Sequence, residues 1–161
     1  MRPQSLYSYF DSKNAIYDAM FAQGSLQFVE GQADWNLTGD LREDLHTIGN
    51  YFVRFCTGDP VRYQLLFQRT IPGFEPSAES FAISQRSLGE IVEHLATLGI
   101  DDPRDIDLFT AIGTGLTDQQ ISNDPGGDRW VRLLDDATDM FVEHVTKRSE
   151  LSATTRRKAT G

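Results

Sequence analysis

Six prolines punctuate this chain, and their placement constrains the fold more than any other feature. Pro3, Pro60, Pro72, Pro76, Pro103 and Pro125 all fall at apparent helix starts or in connections. The fixed φ and missing N–H of proline suit a first helical turn and disrupt a helix interior or a central strand. Between the prolines, apolar residues recur at helical spacing, and no stretch alternates with period 2 between hairpin turns. The chain therefore reads as all-α.

The helices can be placed in order. Ser12 is suited to cap a helix running toward Gln32, loosened in its later half by Gly24 and Gly31. Residues 33–39, with Trp35, form a connection, in which Trp35 either plugs the body or lines a pocket. Asp40 and Glu43 resemble a capping box, after which Leu41, Leu45, Ile48, Phe52 and Phe55 make a buried stripe ending near Gly58. Asp59-Pro60 restarts a helix with Tyr63, Leu66 and Phe67 on its apolar face, and the segment from Ile71 to Pro76 makes a stiff corner. A long helix follows from about Ser77 to Gly99. Asp102-Pro103 opens the next, where Ile106, Phe109, Ile112 and Leu116 give the stripe and Gly113 and Gly115 allow close backbone approach. The turn at residues 122–128 leads into a last helix from about Arg129, and residues 149–161 form an aperiodic tail expected to be disordered.

Composition narrows the function classes. With 161 residues, 39% hydrophobic and 24% charged, the chain suits a globular protein with a sizeable core. No apolar run approaches the ~20 residues that span a bilayer, so no membrane partner is expected. The single cysteine, Cys56, excludes an internal disulfide and cysteine-rich zinc sites and fits a reducing cytoplasm. Net charge is −9, but residues 147–161 hold five cations against Glu150, a balance of +4, so the other 146 residues carry −13. An acidic body of this kind has no generic affinity for nucleic acid.

Catalytic constellations are not evident. Glu43 and His46 have the i,i+3 spacing of di-iron bundles, which need that motif twice plus two further glutamates. Glu90 and His94 stand at i,i+4, more often a surface hydrogen bond than a metal site. Cys56 has no activating base beside it in sequence, and Gly113-x-Gly115 lacks the third glycine and preceding strand of a phosphate cradle. Neither an enzyme nor a cofactor or metal is expected.

The front of the chain is the most specific stretch. Pro3 suits a first helical turn, Leu6 and Phe10 share one face, and Gln4, Ser5 and Ser8 turn outward. Asp11-Ser12 breaks that helix and caps the next, which suggests the second half of a helix-turn-helix. The ordinary alternative is an amphipathic helix pair with a Tyr/Phe core. The run Leu6-Tyr7-x-Tyr9-Phe10-x-Ser12-Lys13-x-x-Ile16 resembles the recognition-helix signature of TetR/AcrR-type transcriptional regulators, with Tyr9 where histidine is common. The resemblance covers about a dozen residues.

The resemblance carries further expectations. Residues 1–23 would be part of a helix-turn-helix head, truncated at its N-terminus because the family places further helices upstream; residues 24–148 would be the helical effector-binding and dimerisation domain. Tyr7 and Lys13 match positions that contact DNA phosphates, and Gln4, Ser5 and Ser8 would enter the major groove. Phe52, Phe55, Tyr63, Phe67, Phe81 and Phe109 lie on four successive helices, where they could wall a pocket for a small hydrophobic effector or simply form core. Phe109, Leu116, Trp130, Leu133, Leu134, Ala137 and Phe141 would form a homodimer interface, since the apolar face of the last helix is wide. Gln119 and Gln120 could bond across that dimer or sit in solvent. The expected function is a cytoplasmic, ligand-responsive regulator, a repressor, of operator DNA. The alternative is a stand-alone dimeric ligand-binding or interaction module.

Overall fold

The computed structural model describes residues 10–159, side chains 152 and 155–159 excepted. Among these residues every regular element is helical: α1 (Lys13–Gln32), α2 (Leu41–Gly58), α3 (Pro60–Phe67), α4 (Ala78–Thr97), α5 (Pro103–Asn123), a 3-10 turn (Val131–Leu133) and α6 (Leu134–Ala159). The all-α expectation is met.

Local chemistry sets most of the helix starts. Ser12 Oγ accepts from the Ala15 N–H, Asp59 from Arg62 and Asp102 from Arg104, with Pro60 and Pro103 in the first turns. Asp40 Oδ1 accepts from the Glu43 N–H at 3.0 Å and Ser77 Oγ from the Ser80 N–H at 3.2 Å. Helix α4 ends where Gly99 takes φ +85°, and Ile100 N–H reaches back to the Leu95 carbonyl at 3.0 Å. That is a Schellman closure, with Leu95 and Ile100 both 1% exposed.

Helix boundaries depart from the sequence reading at two places. The last helix does not start at Arg129: a 3-10 turn intervenes, and the α-helix begins at Leu134, with Asp135 and Asp136 favouring its N-terminus. Nor does it stop at residue 148. Residues 149–159 hold no proline or glycine. Helix α6 runs through Ala159, over residues the sequence reading left as an aperiodic tail, with the Ser149 and Thr154 hydroxyls donating to the carbonyls of Val145 and Glu150.

The chain divides into two compact units. The first holds α1, α3 and α4 through Ile91. Helix α1 buries Phe21, Gly24, Ser25 and Phe28, spaced as one helical face. Gly24 is the close approach: a Cβ there would lie 3.1 Å from Leu66 Cδ1 and 3.3 Å from Arg62 Cγ. Beside it Phe28 meets Phe67 edge-on at 5.6 Å, and Arg62 donates to Gln27 at 3.1 Å.

The second unit holds α2, the end of α4, α5 and α6. Helix α2 buries Asp44, Leu45, Ile48, Gly49, Val53 and Cys56. Phe52 and Phe55, placed by the sequence on the central stripe, are its half-buried shoulders, because the buried face runs one position further along. Phe52 packs where a Cβ on Gly113 would be 3.4 Å away, whereas Gly115 has open space. Helices α5 and α6 are antiparallel, joined at one end by Arg148 with Asp102 and Asp105, mid-length by Phe109 on Phe141 at 5.3 Å, and at the other end by Gln120.

Candidate functional site

The first unit contains a cavity of about 390 Å³, within the range of small-molecule pockets. Phe21 of α1, Leu65, Leu66 and Phe67 of α3, and Phe81 and Ser84 of α4 line it, and the connection from Gln68 to Ser77 closes one side through Ile71, Phe74 and Pro76. Gln68, Arg69 and Glu75 add polar groups. Phe67 and Phe81 are 41% and 46% exposed, so two aromatic rings stand half uncovered at this cavity. A mostly apolar hollow with a few polar groups suits an amphipathic small molecule.

The cavity wall is tied to α1. Asp18 accepts hydrogen bonds from Ser77 N–H at 2.7 Å, Ser77 Oγ at 2.9 Å and Ser80 Oγ at 2.9 Å. Asn14 Nδ2 donates to the Gly73 carbonyl at 3.4 Å, and Tyr17 meets Phe74 edge-on at 5.6 Å. The Ser77 backbone bond, outweighing the cost of burial, and then the two hydroxyls hold the Asp18 carboxyl below its ordinary value.

Of the six aromatics proposed to wall a pocket, Phe67 and Phe81 line this cavity. Tyr63 is buried in the same unit, 5.9 Å from Phe67. Phe52, Phe55 and Phe109 belong to the second unit, Phe55 beside Tyr51 at 6.0 Å and Phe109 on Phe141. Phe21 and Phe74 were missed. Phe21 sits on a helix with a weak sequence stripe, and Phe74 reads as one residue of a stiff corner rather than a wall. Trp35 stacks edge-on to Tyr51 at 5.3 Å.

Among the DNA-facing candidates, Gln4, Ser5, Tyr7 and Ser8 lie outside the described residues. Lys13 is exposed in the first turn of α1, its ammonium 5.4 Å from the Tyr17 ring centroid.

The proposed interface residues divide between core and surface. Leu134 and Phe141 are each 2% exposed and fill the chain's own second unit, against Gly49 and Phe109 respectively. Packing within one chain thus covers part of the face that looked too wide. Phe109, Leu116, Trp130 and Ala137 are half-buried, and Leu133 is 37% exposed. Neither solvent nor a partner claims Gln120: it is 2% exposed, accepts from the Trp130 and Val131 N–H groups, and donates to Asp124, locking the α5–α6 connection.

Histidines and carboxylates in the second unit form structural clasps. His94 lies 2.9 Å from Asp44, which also accepts from the Thr38 and Gly39 N–H groups at 2.7 and 3.0 Å. Burial alone would raise the Asp44 pKa, but these bonds outweigh it and the carboxyl sits below its ordinary value. His46 lies between Asp135 and Asp139, at 2.9 and 3.1 Å, and Arg42 pairs with Asp139 at 2.6 Å. The Arg42 guanidinium, with His46, pulls Asp139 down to about 2. Among the described residues no group of three or more His, Cys, Asp or Glu stands together as a metal site. Comparisons with known protein families, with curated proteins and with solved structures find no match.

Proposed function

We propose that the chain is a ligand-responsive DNA-binding regulator of the TetR/AcrR type, in which the first-unit cavity receives a small apolar or amphipathic effector. The observation carrying this reading is that the cavity is built on α1: Phe21 lines it, eight residues beyond Lys13 and the stretch resembling a recognition helix. An effector that binds two arrangements of α1 unequally shifts their populations, and DNA affinity with them. Pairing of two copies through the exposed side of α5 and α6, where Leu108 and Met140 are 40% and 73% exposed, belongs to the same reading.

Mobility-shift assays on a randomised duplex pool test it, using this chain and the chain carrying any in-frame residues encoded upstream of Met1. Enrichment of a two-fold-related element supports the regulator. If neither form enriches any sequence while an apolar probe still fills the cavity, the chain is a ligand-binding module without DNA readout.

A further inference from the structure

Two different supports hold α1. From Gly24 onward it is clamped to α3, through the Gly24–Leu66 approach, Phe28 on Phe67, and Arg62 on Gln27, and its end is bonded to the middle of α4 by Gln32 Nε2 on Ser87 Oγ at 2.8 Å. Before Gly24 a second set of attachments joins it to the stretch that opens α4. Asn14, Tyr17 and Asp18 each engage the segment from Gly73 to Ser80, the same segment that supplies Phe74, Glu75 and Pro76 to the cavity. Asp18 is the central tie. Its carboxylate takes three hydrogen bonds at the start of α4, where an anion also complements the helix N-terminus. The next turn of α4 carries Phe81 and Ser84 into the cavity.

Resting on the effector reading above, we infer that Asp18 is the positioning residue of the response: it couples the position of the 73–80 wall to the first turns of α1. An occupant that covers Phe67 and Phe81 displaces that wall, and the wall draws Asp18 with it. Residues 13–20 then swing about Gly24, while residues 24–32 stay fixed on α3. Asp18 contributes to the response without belonging to the cavity's lining.

The test uses the whole chain and 8-anilinonaphthalene-1-sulfonate, a flat apolar probe with one anionic group, and follows backbone hydrogen exchange by mass spectrometry. The probe is expected to change exchange in residues 13–20 by about tenfold and leave residues 24–32 within twofold. In Asp18→Asn the probe affinity should stay within about threefold, while exchange in residues 13–20 is already fast and no longer responds. A residue serving only general stability would weaken both readouts together. Should Asp18→Asn fold poorly, Ser77→Ala/Ser80→Ala, which keeps the carboxylate and removes two of its donors, is expected to give the same split in weaker form. An unchanged response of residues 13–20 in a variant that binds the probe normally overturns the inference and leaves the effector reading standing. Probe binding that survives Phe81→Glu undiminished places the probe elsewhere and overturns both.

Discussion

Of the twelve apolar side chains buried among the described residues, nine lie in the second unit and Phe21, Phe28 and Tyr63 in the first. The second unit is also sealed at its edges by polar clasps, Asp44 with His94 and Asp105 with Arg148. The first has a cavity of about 390 Å³ and two half-exposed phenylalanines beside it. Close-packed interiors resist displacement, whereas the lining of an apolar hollow can gain contacts from an occupant. Under the proposed effector reading, the second unit serves as scaffold and the first as the responding part.

The largest effects should therefore come from the second unit. Phe141→Ala removes a ring 2% exposed and packed on Phe109, and is expected to cost about 3–5 kcal/mol in chemical denaturation. A loss below about 1 kcal/mol would break the comparison at its strongest point. Asp44→Asn replaces a fully buried acceptor of two backbone N–H groups and a histidine with a side chain that has only one acceptor oxygen. It should cost about 2–3 kcal/mol by the same measurement.

Acid should act in the same direction. Asp18, Asp44 and Asp139 all sit below their ordinary value of 3.8 when folded, Asp139 at about 2. The unfolded chain then takes up protons first as pH falls, so their contribution is complete above about pH 5 and is lost progressively as pH falls from there through about 2. Denaturation midpoints at about pH 6, 5 and 2.5 should be similar for the first pair and clearly lower for the last. A midpoint that rises on acidification would contradict the sign.

Two helical glycines sharpen the contrast at smaller scale. At Gly49 a Cβ would meet Leu134 at 3.5 Å, an ordinary contact, so Gly49→Ala should stabilise by about 0.5–1 kcal/mol through helix propensity. At Gly24 the same change meets Leu66, a lining residue of the cavity, at 3.1 Å, so Leu66 must shift by a few tenths of an ångström. Gly24→Ala should leave stability within about 1 kcal/mol and instead weaken probe binding. Equal gains at both glycines, with probe binding unchanged, would erase the distinction between the two units.

Class and helix starts were legible because they depend on neighbours in sequence. Ser12, Asp40, Asp59 and Asp102 cap the helices that their positions announced. The α2 face was misread by one position, since a stripe of Phe52 and Phe55 and a stripe of Val53 and Cys56 fit the same 3.6-residue period. The site was legible only in fragments. Phe67 and Phe81 were marked as aromatics, but Asp18 meets Ser77 across 59 residues, and nothing local to Asp18 indicates that bond. Leu134 and Phe141 looked like a surface because sequence shows the width of an apolar face and not what covers it.

The central claim is that the first unit takes a ligand and turns it into a change in DNA binding. Selection from a randomised duplex pool, with and without a cavity-filling probe, tests it most directly. The expected result is one enriched two-fold-related element whose affinity the probe shifts by tenfold or more, with the shift abolished in Phe81→Glu. An enriched element whose affinity ignores the probe, or a probe that fills the cavity of a chain enriching nothing, would contradict it.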